Sequence, residues 1–265
     1  MSRALTILGC GSSGGVPRVA QGWGACDPNN PRNRRRRCSA LLEQTGANGL
    51  TQVLVDCSPD LREQLLEANV ARLDGVLITH SHADHTHGMD DLRPIFLAMR
   101  RRVDVHMDET TAEIMRQTFG YLFETPNGSL YPPILNAGRL THGEPCAIQG
   151  PGGAIVSTPF EVEHGEIKAL GLRIGGLAYT PDVNAIGPDS ARFLEGLDVW
   201  IVDALRYKPH PSHFSLDEAL AWIERMRPRR AIVTNLHTDL DYEELRRRLP
   251  DNVEPAYDGM RIEKF

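Results

Sequence analysis

The segment that most restricts how this chain can fold is Thr79-His80-Ser81-His82-Ala83-Asp84-His85, which follows directly on the apolar run Gly75-Val76-Leu77-Ile78. A compact apolar run of this kind reads as a buried strand, so the histidines stand on the loop at its end. In an extended segment, side chains two positions apart share a side. His80 and His82 can therefore grip one ion, while Asp84 and His85, past the turn, can face a second. Imidazole nitrogens and carboxylate oxygens are donors that Zn²⁺ and related divalent ions favour. One loop cannot complete two coordination spheres, and further donors stand at the ends of other strand-like runs. His164 closes one such run, Asp182 follows Leu177-Ala178-Tyr179-Thr180, and His237 closes Ala231-Ile232-Val233-Thr234-Asn235-Leu236. Ligands drawn from several strand ends require those ends to lie on one rim.

The remaining pattern supplies a frame for such a rim. Strands are expected over 4–8, 39–44, 52–56, 75–79, 103–107, 198–202 and 230–234, with more strand-like runs across 145–180 and a short final strand. Helices are expected from Pro59 with Ser58 as cap, near 90–101, from Asp108, near 189–195, over 215–227 and over 241–248. Ser215-Leu216-Asp217-Glu218 forms a capping box, in which hydroxyl and carboxylate satisfy end amides reciprocally. Residues 9–38 form a long irregular stretch, and 120–140, broken by Pro126-Asn127-Gly128 and Pro132-Pro133, reads as an excursion. Strands dominate the middle and strand–helix alternation returns at the end. The expected fold class is α/β, a four-layer αββα sandwich, in one domain spanning 1–265.

Composition narrows the setting. With 29 basic and 35 acidic side chains the formal charge is −6, and no apolar run approaches the ~18 residues that cross a bilayer. No signal-peptide pattern is visible, and five cysteines without repeated spacing argue against a disulfide framework, so a cytoplasmic setting is expected. Arg32 and Arg34 to Arg37 form a basic run. The acidic chain and the lack of interleaved aromatics weigh against nucleic acid there; an ion-paired or solvated loop is preferred, with a grip on substrate phosphate next. Gly9-x-Gly11-x-x-Gly14 matches the dinucleotide fingerprint formally, but Gly15-Val16-Pro17 follows where a helix should open. Those glycines are expected instead to let the loop pass close beside the metals. Arg206-Tyr207-Lys208 can reach the rim and bind a second anionic group, and His87 is near enough to touch substrate. Asp56 and Asp203, at strand ends, are expected behind the ligands, orienting histidines. Cys57 is expected to be a small buried hydrophobe, and His106, His142 and His210 to be structural.

Together, the His80–His85 motif, the later His164, Asp182 and His237, and the strand order resemble the metallo-β-lactamase-fold hydrolases over nearly the whole chain. Within them, Gly9-Cys10-Gly11-Ser12-Ser13-Gly14-Gly15-Val16-Pro17, the Arg-rich approach to Cys38-Ser39, and Pro211-Ser212-His213 look most like the phosphoribosyl 1,2-cyclic phosphate phosphodiesterase (PhnP-like) branch. The resemblance implies that His80, His82 and His164 hold one divalent ion, that Asp84, His85 and His237 hold another, and that Asp182 bridges them. Zn²⁺ is the first expectation and Mn²⁺ the second. A water between the ions would be the nucleophile, and His213, with Asp84 beside it among the catalytic residues, would protonate the leaving group. The family's extra structural zinc site needs several cysteines in the 20s and a further histidine. Here Cys26 is alone and Leu240 stands three residues past His237, so that site is expected to be absent and the 18–37 loop to be held by other means.

The implied reaction is hydrolysis of a small cyclic or nucleotide-like phosphodiester. The implied partner is a small phosphorylated substrate, with no membrane, nucleic acid disfavoured, and a homodimer as the default assembly. The alternatives are a thioester or lactone hydrolase, a tRNA 3′-processing nuclease, or a non-catalytic metal- or ligand-binding protein related to the pyrroloquinoline quinone biosynthesis member.

Overall fold

The computed structural model describes residues 2–265. Seven strands form each of two sheets. The first takes β1 (Ser2–Gly9), β2 (Ser39–Gly46), β3 (Gly49–Val55), β4 (Gly75–Leu77), β5 (Val103–Met107) and β6 (Leu135–Arg139). The second takes β7 (Cys146–Ile148), β8 (Ile155–His164), β9 (Ile167–Ile174), β10 (Leu177–Thr180), β11 (Val199–Asp203), β12 (Arg230–Thr234) and β13 (Val253–Pro255). The last strand, β14 (Arg261–Glu263), crosses back to pair with β1, so the spatial orders are 14-1-2-3-4-5-6 and 13-12-11-10-9-8-7. Each sheet has three antiparallel pairings followed by three parallel ones, β14 through β3 then β6 in one and β7 through β10 then β13 in the other. That shared pattern has no counterpart as a visible sequence repeat.

Side-chain alternation explains the layers. Leu5, Ile7, Leu42, Val53, Val55 and Leu77 meet Leu172, Ile174, Leu177, Tyr179, Val199, Ile201 and Ile232 in the core between the sheets. Their neighbours Leu41, Leu54, Val76 and Val105 point the other way and pack under α1 (Leu61–Glu67), α3 (Arg93–Met99) and α4 (Glu109–Phe123) through Leu61, Leu65, Ile95 and Met115. On the second sheet Trp200, Val202, Ala231 and Val233 pack under α6 (Leu216–Met226) and α7 (Tyr242–Arg248) through Leu216, Ala219, Ile223 and Leu245. Each fully buried Leu, Ile or Val contributes roughly 1.5–3 kcal/mol, so both faces of both sheets stabilise the sandwich. The expected αββα architecture is the observed one. No helix among the described residues is long and apolar enough to cross a membrane.

The local differences have physical causes. The excursion at 120–140 contains β6, an edge strand whose Asn136, Gly138 and Arg139 hide it from an apolar pattern, and α4 runs on to Phe123. The first short helix starts at Leu61 with Asp60 in the cap position; the Ser58 hydroxyl accepts from Asp60 N at 3.1 Å and donates to Gln64 Oε1 at 2.9 Å. The run 75–79 is strand only to Leu77, because Thr79 turns its amide onto Asp56 Oδ1 at 2.8 Å. The helix near 90–101 divides into a 3-10 turn, Met89–Leu92, and α3, and that near 189–195 into α5 (Pro188–Ala191) and a 3-10 turn. The capping box at Ser215 is present in both directions. Ser215→Ala should cost about 1 kcal/mol, read as a lower urea midpoint with an unchanged slope.

Candidate metal centre

The site lies on the rim where β4, β8, β10, β11 and β12 end. After β4, His80 is buried and His82 lies exposed at the head of α2 (Ala83–Thr86), which carries Asp84 and buried His85. His164 ends β8, Asp182 follows β10, and His213 lies on the loop after β11. Donor atoms of His80, His82 and His164 lie within 4.8 Å of one another, as do those of His80, His85 and Asp182, and those of His164, Asp182 and His213. Asp182 is the hub: its carboxylate is 3.2 Å from His85 Nε2, 3.5 Å from His164 Nε2, and 3.8 Å from both His80 Nε2 and His213 Nδ1. Asp84 Oδ2 is 3.5 Å from His85 Nε2.

Hydrogen bonds behind the ring fix which nitrogens face inward. His85 Nδ1 donates to Asp56 Oδ2 at 2.7 Å, and Asp56 also accepts from the Thr79 amide and hydroxyl. His164 Nδ1 donates to Ser212 O at 2.6 Å, and His80 Nδ1 meets the Thr79 hydroxyl at 3.0 Å. The inward atoms His80 Nε2 and His85 Nε2 are buried and lack any hydrogen-bond partner. Orphaned buried nitrogens are costly, and a divalent cation would satisfy both. The donor set and its oriented outer partners fit such an ion.

The electrostatics of the ring itself are those of competing imidazoles around one carboxylate. Burial, with the charge on His85, holds His80 well below the usual imidazole range, and burial lowers His164 as well. Burial also opposes charging His85, yet Asp182, Asp56 and Asp84 outweigh it and hold His85 well above that range. Although burial disfavours its ionisation, Asp182 is kept well below the usual carboxylate range by His85, His213 and His80. Neutral His80 and His164 and ionised Asp182 are the forms a metal binds.

His213 is held differently. Its Nδ1 lies 2.8 Å from Asp203 Oδ2, while Asn235 Nδ2 sits 3.1 Å from the same nitrogen, 3.3 Å from Asp182 Oδ1 and 3.2 Å from Asp203 Oδ1. An amide has two hydrogens; the carboxylates take both, and His213 Nδ1–H donates to Asp203. Burial opposes its charge, but the Asp203 carboxylate raises His213 to about 9. Cations held beside Asp182 would draw it back toward neutrality.

The other residues singled out in the sequence fall into place around this ring. His237 lies outside the three donor groups: its Nδ1 meets Asp239 Oδ1 at 3.0 Å, and its Nε2 accepts from Arg18 Nη1 at 2.5 Å. Arg206 turns its guanidinium onto Lys208 O and Pro209 O, while Lys208 is exposed. His87 is exposed, its ring edge-on to Phe119 at 5.2 Å. The basic run is an ion-paired, stacked loop: Arg36 meets Asp258 at 3.0 Å, Arg37 meets Asp60 at 2.9 Å, and Arg32 stacks over Tyr242 and Tyr257. The glycines admit that run rather than a metal, since a Cβ on Gly9 would lie 2.0 Å from Arg37 O. Cys57 is fully buried among apolar side chains.

Sequence reasoning missed Thr79, Ser212, Asn235 and Arg18, and set His210 aside, whose ring is 5.1 Å from that of His213. The signal available for Asn235 was its place at the end of an apolar strand. Both Asn235 and Asp56 have φ of +62°, a left-handed conformation that Asn and Asp tolerate best among residues with a side chain.

Residues 51–235 match the β-lactamase superfamily domain, and the chain belongs to that superfamily, whose hydrolase fold it has. A crystal structure described as a new diphosphatase from the PhnP family is 34% identical over 100% of this chain and 98% of its own, with a TM-score of 0.89. The resemblance to the PhnP-like branch therefore holds. An octanoyltransferase of Porphyromonas gingivalis (strain ATCC BAA-308 / W83) is 30% identical over 96% of this chain and 50% of its own length. A ribonuclease Z of Bradyrhizobium sp. (strain ORS 278) is 31% identical over 57% of this chain and 47% of its own. The chain thus spans about half the length of these curated relatives.

Proposed function

We propose that the protein is a dinuclear metal-dependent phosphodiesterase acting on small cyclic or nucleotide-like phosphates. The observation that carries this reading is the ring of inward-facing imidazoles around the buried Asp182, with His213 held against Asp203 at its edge. The similar diphosphatase and ribonuclease Z support phosphoester chemistry. In this reading His80, His82 and His164 would hold one ion, Asp84, His85 and His237 would hold the other, and Asp182 would serve both, with Zn²⁺ preferred over Mn²⁺. Bound there, two dications would supply a hydroxide at neutral pH and neutralise phosphate oxygens. The chain's own residues do the rest. Asp56, Thr79 and Ser212 fix the ligand tautomers, and Asp203, by holding Nδ1–H and favouring the imidazolium, leaves His213 with an Nε2–H proton to give to the departing alkoxide, the imidazole staying neutral until it is reprotonated.

An acyl-transfer reading, prompted by the octanoyltransferase relative, finds no activated thiol beside the ring among the described residues. Burial pushes the thiols of Cys38 and Cys57 well above their usual range, and thiolate, not thiol, attacks.

The direct test is release of p-nitrophenol from bis(p-nitrophenyl) phosphate by Zn²⁺- or Mn²⁺-loaded protein. Turnover that vanishes in Asp84→Ala supports the reading; release no greater than that of the variant with either metal overturns it. His213→Ala should keep its metal by elemental analysis yet lose about 10²–10⁴-fold in turnover of a diester with an alkyl leaving group. Unchanged turnover of that alkyl diester would remove His213 from the reaction.

A further inference from the structure

The loop after the glycine-rich segment brings a cation to the metal centre that none of the sequence motifs announced. Arg18 Nη1 lies 2.5 Å from His237 Nε2, and because His237 Nδ1–H donates to Asp239, that Nε2 is the acceptor. The contact is built rather than incidental. Arg18 opens a tight turn in which its amide donates to Gly22 O at 2.9 Å and its carbonyl accepts from Gly22 N at 2.8 Å. Its guanidinium lies over Gly14, where a Cβ would sit 2.2 Å from Arg18 Nε. Any other residue at 14 would push the side chain off the site.

Among the arginines of this loop only Arg18 and the exposed Arg34 keep their charge unspent, and of the two only Arg18 reaches His237. Arg35, Arg36 and Arg37 are committed to carbonyls or carboxylates and Arg32 to two aromatic rings. Arg18 pairs with no carboxylate among the described residues, and it is only partly buried. Arg206, the cation expected from sequence to bind a second anion, has turned its donors onto its own loop.

We propose that Arg18 binds a second anionic group of the substrate, beside the phosphate that is cleaved. This deepens the reading above and rests on it. A second ion held by His237 Nε2 needs that nitrogen bare, and the guanidinium then moves off by rotation of its own side chain. The turn at Arg18 to Gly22 keeps it at the rim, with all its donors available. A planar guanidinium takes two phosphate oxygens at once, so the class of ligand it selects is an organic diphosphate or a phosphodiester bearing another phosphate.

The probes are α,β-methylene-ADP, with two phosphoryl groups and no cleavable bond between them, and AMP, with one. Calorimetric titration of metal-loaded protein should show tighter binding of the first. In Arg18→Met that preference should shrink about 10- to 100-fold, the scale of one charge-assisted bidentate contact, and Arg18→Lys should recover part of it. Metal content by elemental analysis should not fall in either variant. A preference untouched by Arg18→Met, or wild-type protein that binds neither nucleotide, overturns the proposal. Because binding is read without turnover, the outcomes separate. Hydrolysis of bis(p-nitrophenyl) phosphate with no change in preference removes only Arg18. A changed preference with no hydrolysis removes the phosphodiesterase reading and leaves Arg18 as an anion-binding residue.

Discussion

Asp182→Asn should lose on the order of 10³-fold in turnover and retain less metal than the wild type, measured by elemental analysis beside a kinetic assay. The carboxylate is the one anion reached by His80, His85, His164 and His213 together, at 3.2 to 3.8 Å, and it is buried. An amide keeps the shape but removes the charge, and several kcal/mol of electrostatic stabilisation depend on a cation being held there; each ~1.36 kcal/mol is tenfold in rate. The metal-free protein should also register the change. Asp182, Asp56 and Asp84 together hold His85 well above the usual imidazole range against its burial, and Asp182 contributes most, so removing it weakens the case for keeping a buried imidazolium. Its proton should come off at lower pH in the variant, visible in the histidine signals of an NMR titration. An Asp182→Asn protein with full metal content and wild-type turnover would show that Asp182 is not the hub of the site.

The candidate site was legible wherever donors sat on the loop after an apolar strand. The runs ending at Leu77 and Thr180 announced themselves by hydrophobicity, and their C-terminal ends carried His80 and Asp182; the run ending at Thr234 led in the same way to His237, which lies outside the three donor groups. What stayed hidden depends on contacts between distant segments. Asp56 and Asp203 could be placed behind the ring as a class, but not matched to their histidines, since each pairing joins separate strands. Asn235 and Thr79 act through backbone turns that only the closed sheets define. β6 is an edge strand with a polar sequence, and β14 belongs to a sheet whose other members precede it by more than a hundred residues. No local pattern specifies either. An acidic chain favours a solvated or ion-paired loop for the basic run, and both occur: Asp60, Asp258 and Glu67 pair with Arg37 and Arg36, while Arg34 is exposed.

One member of that run carries more than pairing, and it bears on how the 18–37 loop is held. Arg35 is 2% exposed and has no carboxylate partner among the described residues. Its guanidinium donates to Leu240 O at 2.7 Å, His237 O at 3.2 Å and Asn33 Oδ1 at 3.3 Å, and touches Cys26 Sγ at 3.8 Å. Cys26 and Leu240 are the positions where the resemblance would have put zinc ligands, so a cation fixed in the chain joins the two segments that a metal would otherwise join. Asp241 assists by accepting from Asn33 Nδ2 at 2.6 Å and Asp27 N at 3.1 Å. Arg35→Met keeps much of the volume but strands buried carbonyls at about 1–3 kcal/mol each. We expect a loss of roughly 2–5 kcal/mol and a melting temperature about 10 °C lower, at ~2–4 °C per kcal/mol for a chain of this size. Lysine should recover less than half, because a point charge cannot reach three acceptors in a plane. Chelators should not mimic the effect, since the cross-link contains no metal. His237 and the Arg18 turn lie on the two joined segments, so turnover at saturating metal should fall with stability. A methionine variant that melts within about 1 °C of wild type would mean that Asp241 and the neighbouring backbone bonds hold the loop without the guanidinium.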